Sequence, residues 1–419
     1  MSNHSPAANS MLEFCQALIR TPSPTGDEAA LAELIMSEMR TLGYDEVRHD
    51  AAGNVIGTLR GTDPSLPSIM FTAHMDQVSP GDLSRWSYDP YGGEMADGWI
   101  HGRGASDTKG AIATQVHLPT ILAGRDLRHG DIHVVQVVVE EVAGLGSRLL
   151  LDHLTTDYTI NGEGTNNELR HGNRGRSLVK ARFHGESVHA SIAQREQIAH
   201  YRAAKFLLAL AELPMKEGVM GRSSGTPTRA STDLPDENVT PQAFELSIDW
   251  RSIPGETHDE ILDRLRAIVP EGDEVWIPPF ELSTYTGETH TLSQAQPPYW
   301  IAPDDPFVVA VQQALVDHWG RDVPLDTWGF TTDCGLFSER GLPIIGFSPC
   351  EAQYAHTPID RVSVDKMIEA WEAYPALIAA ISKLPRRTQQ PKGGTGYFSS
   401  NATRNTVWHA EPAHKKLEK

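Results

Sequence analysis

Asp131-Ile132-His133-Val134-Val135-Gln136-Val137-Val138-Val139-Glu140-Glu141 is the stretch from which the fold of this 419-residue chain can be read. From Ile132 to Val139 only His133 and Gln136 are polar, as in a strand covered on both faces by other layers. The run therefore predicts a central strand of a layered sheet. Two adjacent carboxylates at the mouth of such a strand are costly unless a cation or a proton compensates them. Glu140 and Glu141 should point in different directions, so that one can bind metal and the other can act as a base.

Outward from this run, residues 68–73 and 157–160 predict two further strands, and residues 108–123 a helix between strands. Residues 27–42 place Ala30, Leu31, Leu34, Ile35 and Met39 at helical spacing and stop at Gly43. Residues 1–10 read as a short polar arm. The alternation is that of an α/β layered domain. Between residues 176 and 288 the texture changes to alternating strands (177–183, 243–250), a long helix (193–213) and a second helix near 256–268, an inserted α+β unit. The α/β texture returns with a helix over 306–319, an apolar run at 341–347 and a last helix over 364–384. The catalytic domain is thus expected to be discontinuous, from residues 1–175 and 289–385, with 176–288 as a lid and 386–419 as a basic C-terminal tail.

With 36 Lys and Arg against 55 Asp and Glu, the net charge of −19 repels phosphates and excludes nucleic acid and anionic membranes as expected partners. Small molecules and metal cations remain. Cys15, Cys334 and Cys350 have no paired spacing, which suggests neither a disulfide framework nor a thiolate zinc site. No apolar run approaches membrane-spanning length and residues 1–10 lack the pattern of a secretory signal, so the expected location is the cytoplasm.

Five places carry potential metal chemistry, each where an apolar strand or a tight turn stops. They are His74-Met75-Asp76, the glycine-rich turn Gly102-Arg103-Gly104-Ala105-Ser106-Asp107-Thr108-Lys109-Gly110, Glu140-Glu141, Asn161-Gly162-Glu163-Gly164 and Ala355-His356-Thr357. An imidazole at His74 can bind metal while a neighbouring carboxylate fixes its tautomer. Asp107 in a glycine-rich turn would repel a phosphate but could bridge two cations. Each place alone has an ordinary structural reading; their joint occurrence carries the argument.

In this order, H-M-D, G-x-x-D-x-K-G, E-E, G-E and A-H-T resemble the family of metal-dependent aminoacylases, carboxypeptidase G and succinyl-diaminopimelate desuccinylase, over residues 11–384. The resemblance implies a zinc-exopeptidase-like three-layer catalytic domain with an inserted α+β lid that dimerises. It implies two divalent ions, zinc first, with manganese or cobalt as alternatives. His74 and Glu163 would bind one, Glu141 and His356 the other, and Asp107 would bridge them. Glu140 would be the general base and Asp76 the partner of His74. In Gly185-Glu186-Ser187-Val188-His189, the histidine matches one that stabilises the reacting oxyanion, often from the neighbouring subunit. Asn238 and Arg251 match positions that bind the substrate carboxylate, a task suited to a forked guanidinium.

The implied reaction is hydrolysis of a C–N amide bond in a small carboxylate-bearing molecule, such as an N-acyl amino acid or a dipeptide, by a metal-activated water. The chain departs from the family at Ala193, Glu196, Ile198 and Ala199 after the lid histidine, at Ser348-Pro349-Cys350, and in using Asp360 as the acidic residue after His356. These departures motivate an alternative, an aminohydrolase releasing ammonia from an amino-substituted aromatic or imine-like acid. A non-catalytic metal-binding protein is the third reading. The cysteines read as packing residues, with Cys334 and Cys350 close enough to the presumed site to touch substrate. His101, His117, His133 and His153 read as structural or surface groups.

Overall fold

A computed structural model describes residues 4–387. The apolar run forms a strand over Ile132–Val137. It pairs in parallel with Ile69–His74, placing Ile69 opposite Ile132 and His74 opposite Val137, and antiparallel with Val55–Leu59. It lies inside a nine-stranded sheet ordered Glu46–His49, Val55–Leu59, Ile132–Val137, Ile69–His74, Tyr158–Asn161, Ile344–Gly346, Leu169–Asn173, Tyr299–Trp300, with Leu325–Trp328 also beside Leu169–Asn173. The pairing is parallel at the centre and antiparallel towards the margins, except that Leu325–Trp328 runs parallel to Leu169–Asn173.

Strand alternation explains the layers. Phe71, Ala73, Ile132 and Val134 pack into one apolar cluster with the helices Pro6–Arg20, Ala29–Thr41, Gly110–Val116, Pro306–Trp319 and Val364–Ile381. Met70, Val135 and Val137 point the other way, against Leu150, Leu336 and Phe337 of the helices Leu145–Leu150 and Cys334–Glu339. Each buried Val, Leu, Ile, Phe or Met among these contributes roughly 1.5–3 kcal/mol. This is the α/β layered arrangement expected.

Several elements differ from expectation. Residues 6–10 of the polar arm are helix: Ser5 caps Pro6–Arg20 by accepting from the Ala8 N–H, and Met11, Leu12, Cys15, Leu18 and Ile19 form the helix's buried face. Ser-Pro at a helix start supplies the cap and the fixed φ, a signal that the polar residues beside it obscured. The helix expected over 108–123 divides into Gly110–Val116 and Leu118–Leu122, because Pro119 cannot donate to a continuing ladder. The helix expected from residue 193 begins at Ala199, after a short turn in which the Gln197 side chain accepts from the Gln194 N–H.

A second sheet, ordered Ser224–Thr232, Ala243–Ser252, Gly175–His184, Glu274–Trp276, is antiparallel throughout, and Ala295–Gln296 also pairs with Gly175–His184. Val179, Ala181, Phe183, Leu246, Ile248 and Trp250 bury one face under the helices Ala199–Glu212 and His258–Arg266. The other face carries Arg176, Arg182, Asp249 and Arg251. A hairpin, Pro279–Ser283 with Thr289–Ser293, reaches the larger sheet: the Tyr285 hydroxyl donates to the Gly53 carbonyl at 3.0 Å. The tail expected over 386–419 lies, from residue 388, outside the described residues. No helix among the described residues is long and apolar enough to cross a membrane.

Candidate metal centre

Three neighbouring parallel strands bring the chemistry together at their carboxyl ends, where layered α/β sheets characteristically hold ligands. Ile69–His74 ends on His74, Ile132–Val137 leads to Glu140 and Glu141, and Tyr158–Asn161 leads to Glu163.

His74 is buried. Its Nε2 lies 2.9 Å from Asp107 Oδ1 and 3.5 Å from Glu163 Oε1. Its Nδ1 lies 2.9 Å from the Asp76 backbone carbonyl and 3.6 Å from Asp76 Oδ1. The sequence suggested that the Asp76 carboxylate orients the imidazole; the nearer partner is the carbonyl. The carboxylate, which against the lowering effect of burial also helps to raise the imidazole's pKa, serves a second purpose: Oδ1 accepts the Glu140 N–H at 2.9 Å, and Oδ2 accepts the Glu141 N–H at 3.1 Å and the Thr25 hydroxyl at 2.9 Å. Just before this pair, Val139 has φ 55, a left-handed conformation unfavourable for a β-branched residue. Its N–H is accepted by the buried Glu28 at 3.1 Å.

Asp107 sits on the glycine-rich turn, with a cis peptide bond to Thr108. The turn is anchored by Asp360, whose carboxylate accepts from the Gly104 N–H (2.8 Å), the Ser106 N–H (2.9 Å) and the Arg103 guanidinium (3.1 Å). Lys109 holds its far end, donating to the Leu18 and Thr21 carbonyls. Asp107 divides its carboxylate: Oδ1 meets His74, and Oδ2 lies 3.0 Å from His356 Nε2, which is also 3.0 Å from Glu141 Oε1. Donor atoms of His74, Asp107 and Glu141, and of His74, Glu140 and Glu163, come within 4.8 Å of one another.

The electrostatics show a cluster awaiting positive charge. Burial pushes the Glu163 carboxyl up to about 8, and raises Glu140 well above and Glu141 above the usual carboxylate range. Burial also works to raise Asp107, but hydrogen bonds from His356 and His74 overcome it and hold that carboxyl low. Hydrogen bonds to Asp107 and Glu141 pull His356 up to about 10. In this arrangement the two imidazoles stand in for cations. Three carboxylates, Asp107, Glu141 and Glu163, and two imidazoles converging in a largely buried cluster beside Glu140 are a donor set that fits two divalent ions.

Asp107, Glu140, Glu141, Glu163 and His356 floor a cavity of about 470 Å³, which Arg176, Arg251, Gln296, Phe330 and Thr331 also line. Glu140 faces it, and its carboxylate accepts no hydrogen bond from the described residues. Arg251 was expected there; Arg176 and Gln296 were not, and only strand register, which the sequence does not print, brings them in. Asp333 was also missed: it lies buried at the start of a short helix, burial pushes its carboxyl up to about 6, and its charge bears on Glu140. It also crowds Gly144, where φ is +64 and a Cβ would lie 2.1 Å from Asp333 Oδ1. His189 and Asn238 are exposed and, within one chain, do not line the cavity; they stand on adjoining segments, the Asn238 carbonyl accepting from the Ala190 N–H at 2.9 Å.

Cys334 and Cys350 do not touch the cavity. Both are fully buried, and burial pushes their thiols well up. Ser348 donates to the Glu163 carbonyl at 2.7 Å, so the Ser-Pro-Cys turn braces the Glu163 segment from behind. His117 and His153 pair with Glu38 and Asp50, at 3.1 and 3.0 Å. His133 lies against Thr58 and His101 stacks on Tyr88.

Comparison with known proteins gives these features a family. Residues 70–380 match the model of peptidase family M20/M25/M40. The uncharacterised protein YgeY of Escherichia coli (strain K12) is 28% identical over 381 residues, covering 88% of this chain and 93% of that protein. Succinyl-diaminopimelate desuccinylase of Halorhodospira halophila is 27% identical over 390 residues, covering 86% and 95%. Aminopeptidase PepT of Bacillus cereus shares the fold, with a TM-score of 0.73 at 21% identity over 90% of this chain and 99% of that one. The chain therefore belongs to peptidase family M20/M25/M40, and it is a metal-dependent hydrolase acting on C–N bonds.

Proposed function

We propose that the protein hydrolyses the amide bond of a small carboxylate-bearing substrate such as an N-acyl amino acid or a dipeptide. The observation that carries this reading is the division of Asp107 between His74 and His356 beside a Glu140 that is left uncommitted in the cavity. His74 and Glu163 would hold one divalent ion, Glu141 and His356 the other, with Asp107 shared. Zinc leads the reading, with manganese and cobalt as alternatives. When bound, such ions supply Lewis acidity that lowers the pKa of a water from about 15.7 towards roughly 7.

The chain's own residues do the rest. Glu140, raised by burial, accepts the proton of the attacking water and returns it to the leaving nitrogen. Asp76 sets the direction of Glu140 and Glu141 by holding both their N–H groups. Arg251 grips the substrate carboxylate from the wall of the cavity.

The same reading divides the chain into a catalytic domain (1–175 and 289–385) and a lid (176–288). It joins two copies through the lid, whose outer strand Ser224–Thr232 has a free, exposed edge among the described residues. In such a dimer His189 and Asn238 would reach the partner's cavity to bind the oxyanion and the carboxylate. Three unpaired, buried thiols suit a cytoplasmic setting. The relative named as a desuccinylase supports deacylation, and the braced, buried Ser348-Pro349-Cys350 turn gives no reason to prefer ammonia release. The test is a screen of N-acyl amino acids, dipeptides and amino-substituted aromatic acids with zinc-, manganese- and cobalt-reconstituted protein, following acid and ammonia separately. Release of the acyl acid supports the proposal; ammonia without an acid fragment overturns it.

A further inference from the structure

The wall of the cavity opposite the carboxylate cluster carries an ordered row of polar side chains. Arg251 stands directly opposite Arg176 on the neighbouring antiparallel strand, and Arg176 stands directly opposite Gln296 on the next. Residues so paired have Cβ atoms about 4.5–5.5 Å apart and share one face of the sheet. Three adjacent strands thus present Arg251, Arg176 and Gln296 side by side, and all three line the cavity.

Two guanidiniums placed directly opposite each other repel. Asp249, on the same face two residues before Arg251, keeps them together: Oδ2 accepts from Arg176 Nε at 2.8 Å and Oδ1 from Arg251 Nε at 2.6 Å. Arg251 alone meets both Asp249 oxygens, with a second, longer contact of 3.4 Å from Nη2. One arginine therefore satisfies Asp249, and the second leaves the row with a net charge of +1. Both hold Asp249 through Nε, and the terminal nitrogens of Arg176 have no other partner among the described residues. Its side chain keeps 50% exposure in the cavity wall.

We propose that Arg176 and Arg251 together form a two-guanidinium clamp for one substrate carboxylate, with Arg176 as a specificity-determining residue. The row's single positive charge matches one carboxylate, and terminal N–H groups from two planar forks can take one oxygen each. This deepens the proposed function and rests on its carboxylate-bearing substrate. It commits to a free carboxylate at the end of the substrate that faces the second sheet, so an ester or a carboxamide there is discriminated against.

The test is calorimetric and needs no turnover. Mercaptoalkanoic acids of graded length and their carboxamides, anchored on the zinc-reconstituted protein by their thiol, are titrated into wild type, Arg176→Gln and Arg176→Lys. Wild type should bind the best acid more tightly than its amide. Arg176→Gln should weaken the acid by about ten- to a hundredfold, the loss of a charge-assisted contact, and leave the amide unchanged. Arg176→Lys should recover part of the acid preference, since it keeps the charge without the fork. Equal acid-to-amide ratios in wild type and Arg176→Gln would overturn the clamp. If no amide is hydrolysed while the preference still depends on Arg176, the reaction assignment fails and the clamp stands; hydrolysis with a preference indifferent to Arg176 is the reverse.

Discussion

Asp76 Oδ1 accepts the backbone N–H of Glu140 at 2.9 Å and lies 3.6 Å from His74 Nδ1, so the residue expected to partner the imidazole also fixes the chain that carries the proposed base. Its other oxygen does the same for Glu141. Replacing Asp76 by Ala strands two N–H groups in a buried place, at roughly 1–3 kcal/mol each. Urea unfolding of zinc-loaded protein should show a loss of that size together with a fall in kcat. Asp76→Asn keeps one acceptor oxygen and should lie between. An Asp76→Ala protein with wild-type turnover would show that Glu140 needs no such support.

On the proposed mechanism Glu140 serves the reaction rather than metal retention, although its carboxylate lies within 4.8 Å of donor atoms of His74 and Glu163. Glu140→Gln keeps the shape of the side chain but cannot take a proton, so kcat should drop by about 10²- to 10⁴-fold. Metal content measured by plasma mass spectrometry should stay at the wild-type value. Loss of metal along with activity would make Glu140 a ligand.

The metal-free protein should lose stability as pH rises. Glu163 ionises at 4.5 in an unfolded chain but is pushed up to about 8 when folded, chiefly by burial. His356 deprotonates at 6.5 unfolded but is held to about 10 by its hydrogen bonds to Asp107 and Glu141. In both windows the folded state binds more protons, so stability present at the acid end is lost on going from 4.5 towards 10. Zinc requires deprotonated ligands and binds more tightly as pH rises. Thermal unfolding with and without zinc should therefore diverge between about pH 6 and about pH 9. A metal-free protein that is more stable at the upper end would contradict this.

The hairpin that ties the two sheets together depends on one glycine. Gly53 has φ +96, and a Cβ there would lie 2.4 Å from the Tyr285 ring. Gly53→Ala should unseat the ring and cost more than Tyr285→Phe, which loses only a hydrogen bond of about 0.5–1.5 kcal/mol. Protease nicking near residue 285 gives an independent reading: it should rise in Gly53→Ala and little in Tyr285→Phe.

The sequence declared its sheet through Ile132 to Val139, because a strand buried on both faces has no freedom to be polar, and five places for candidate ligands follow from strand ends and turns, while the choice of ligand within them comes from the family resemblance. The features that the sequence hid depend on pairing between distant segments. Arg176 is an ordinary surface arginine until register sets it beside Arg251, and Glu28 is one acid among many until its carboxylate meets the Val139 N–H. Asp76 shows a subtler limit: adjacency to His74 correctly suggested a partnership, but whether the carbonyl or the carboxylate serves the imidazole depends on the path of residues 139–141. His189 and Asn238 stand together yet away from the cavity, which a single chain cannot explain from pattern alone.

A two-ion site that hydrolyses amides must follow its metal, and a zinc titration of chelator-treated protein reads that dependence. Acid release from an N-acyl amino acid should be absent without metal, should rise with zinc, and should saturate as two ions bind per chain. His74→Ala and His356→Ala should each remove one of them. Hydrolysis that persists in metal-free protein, or zinc binding unaffected by both substitutions, would rule out the two-ion site.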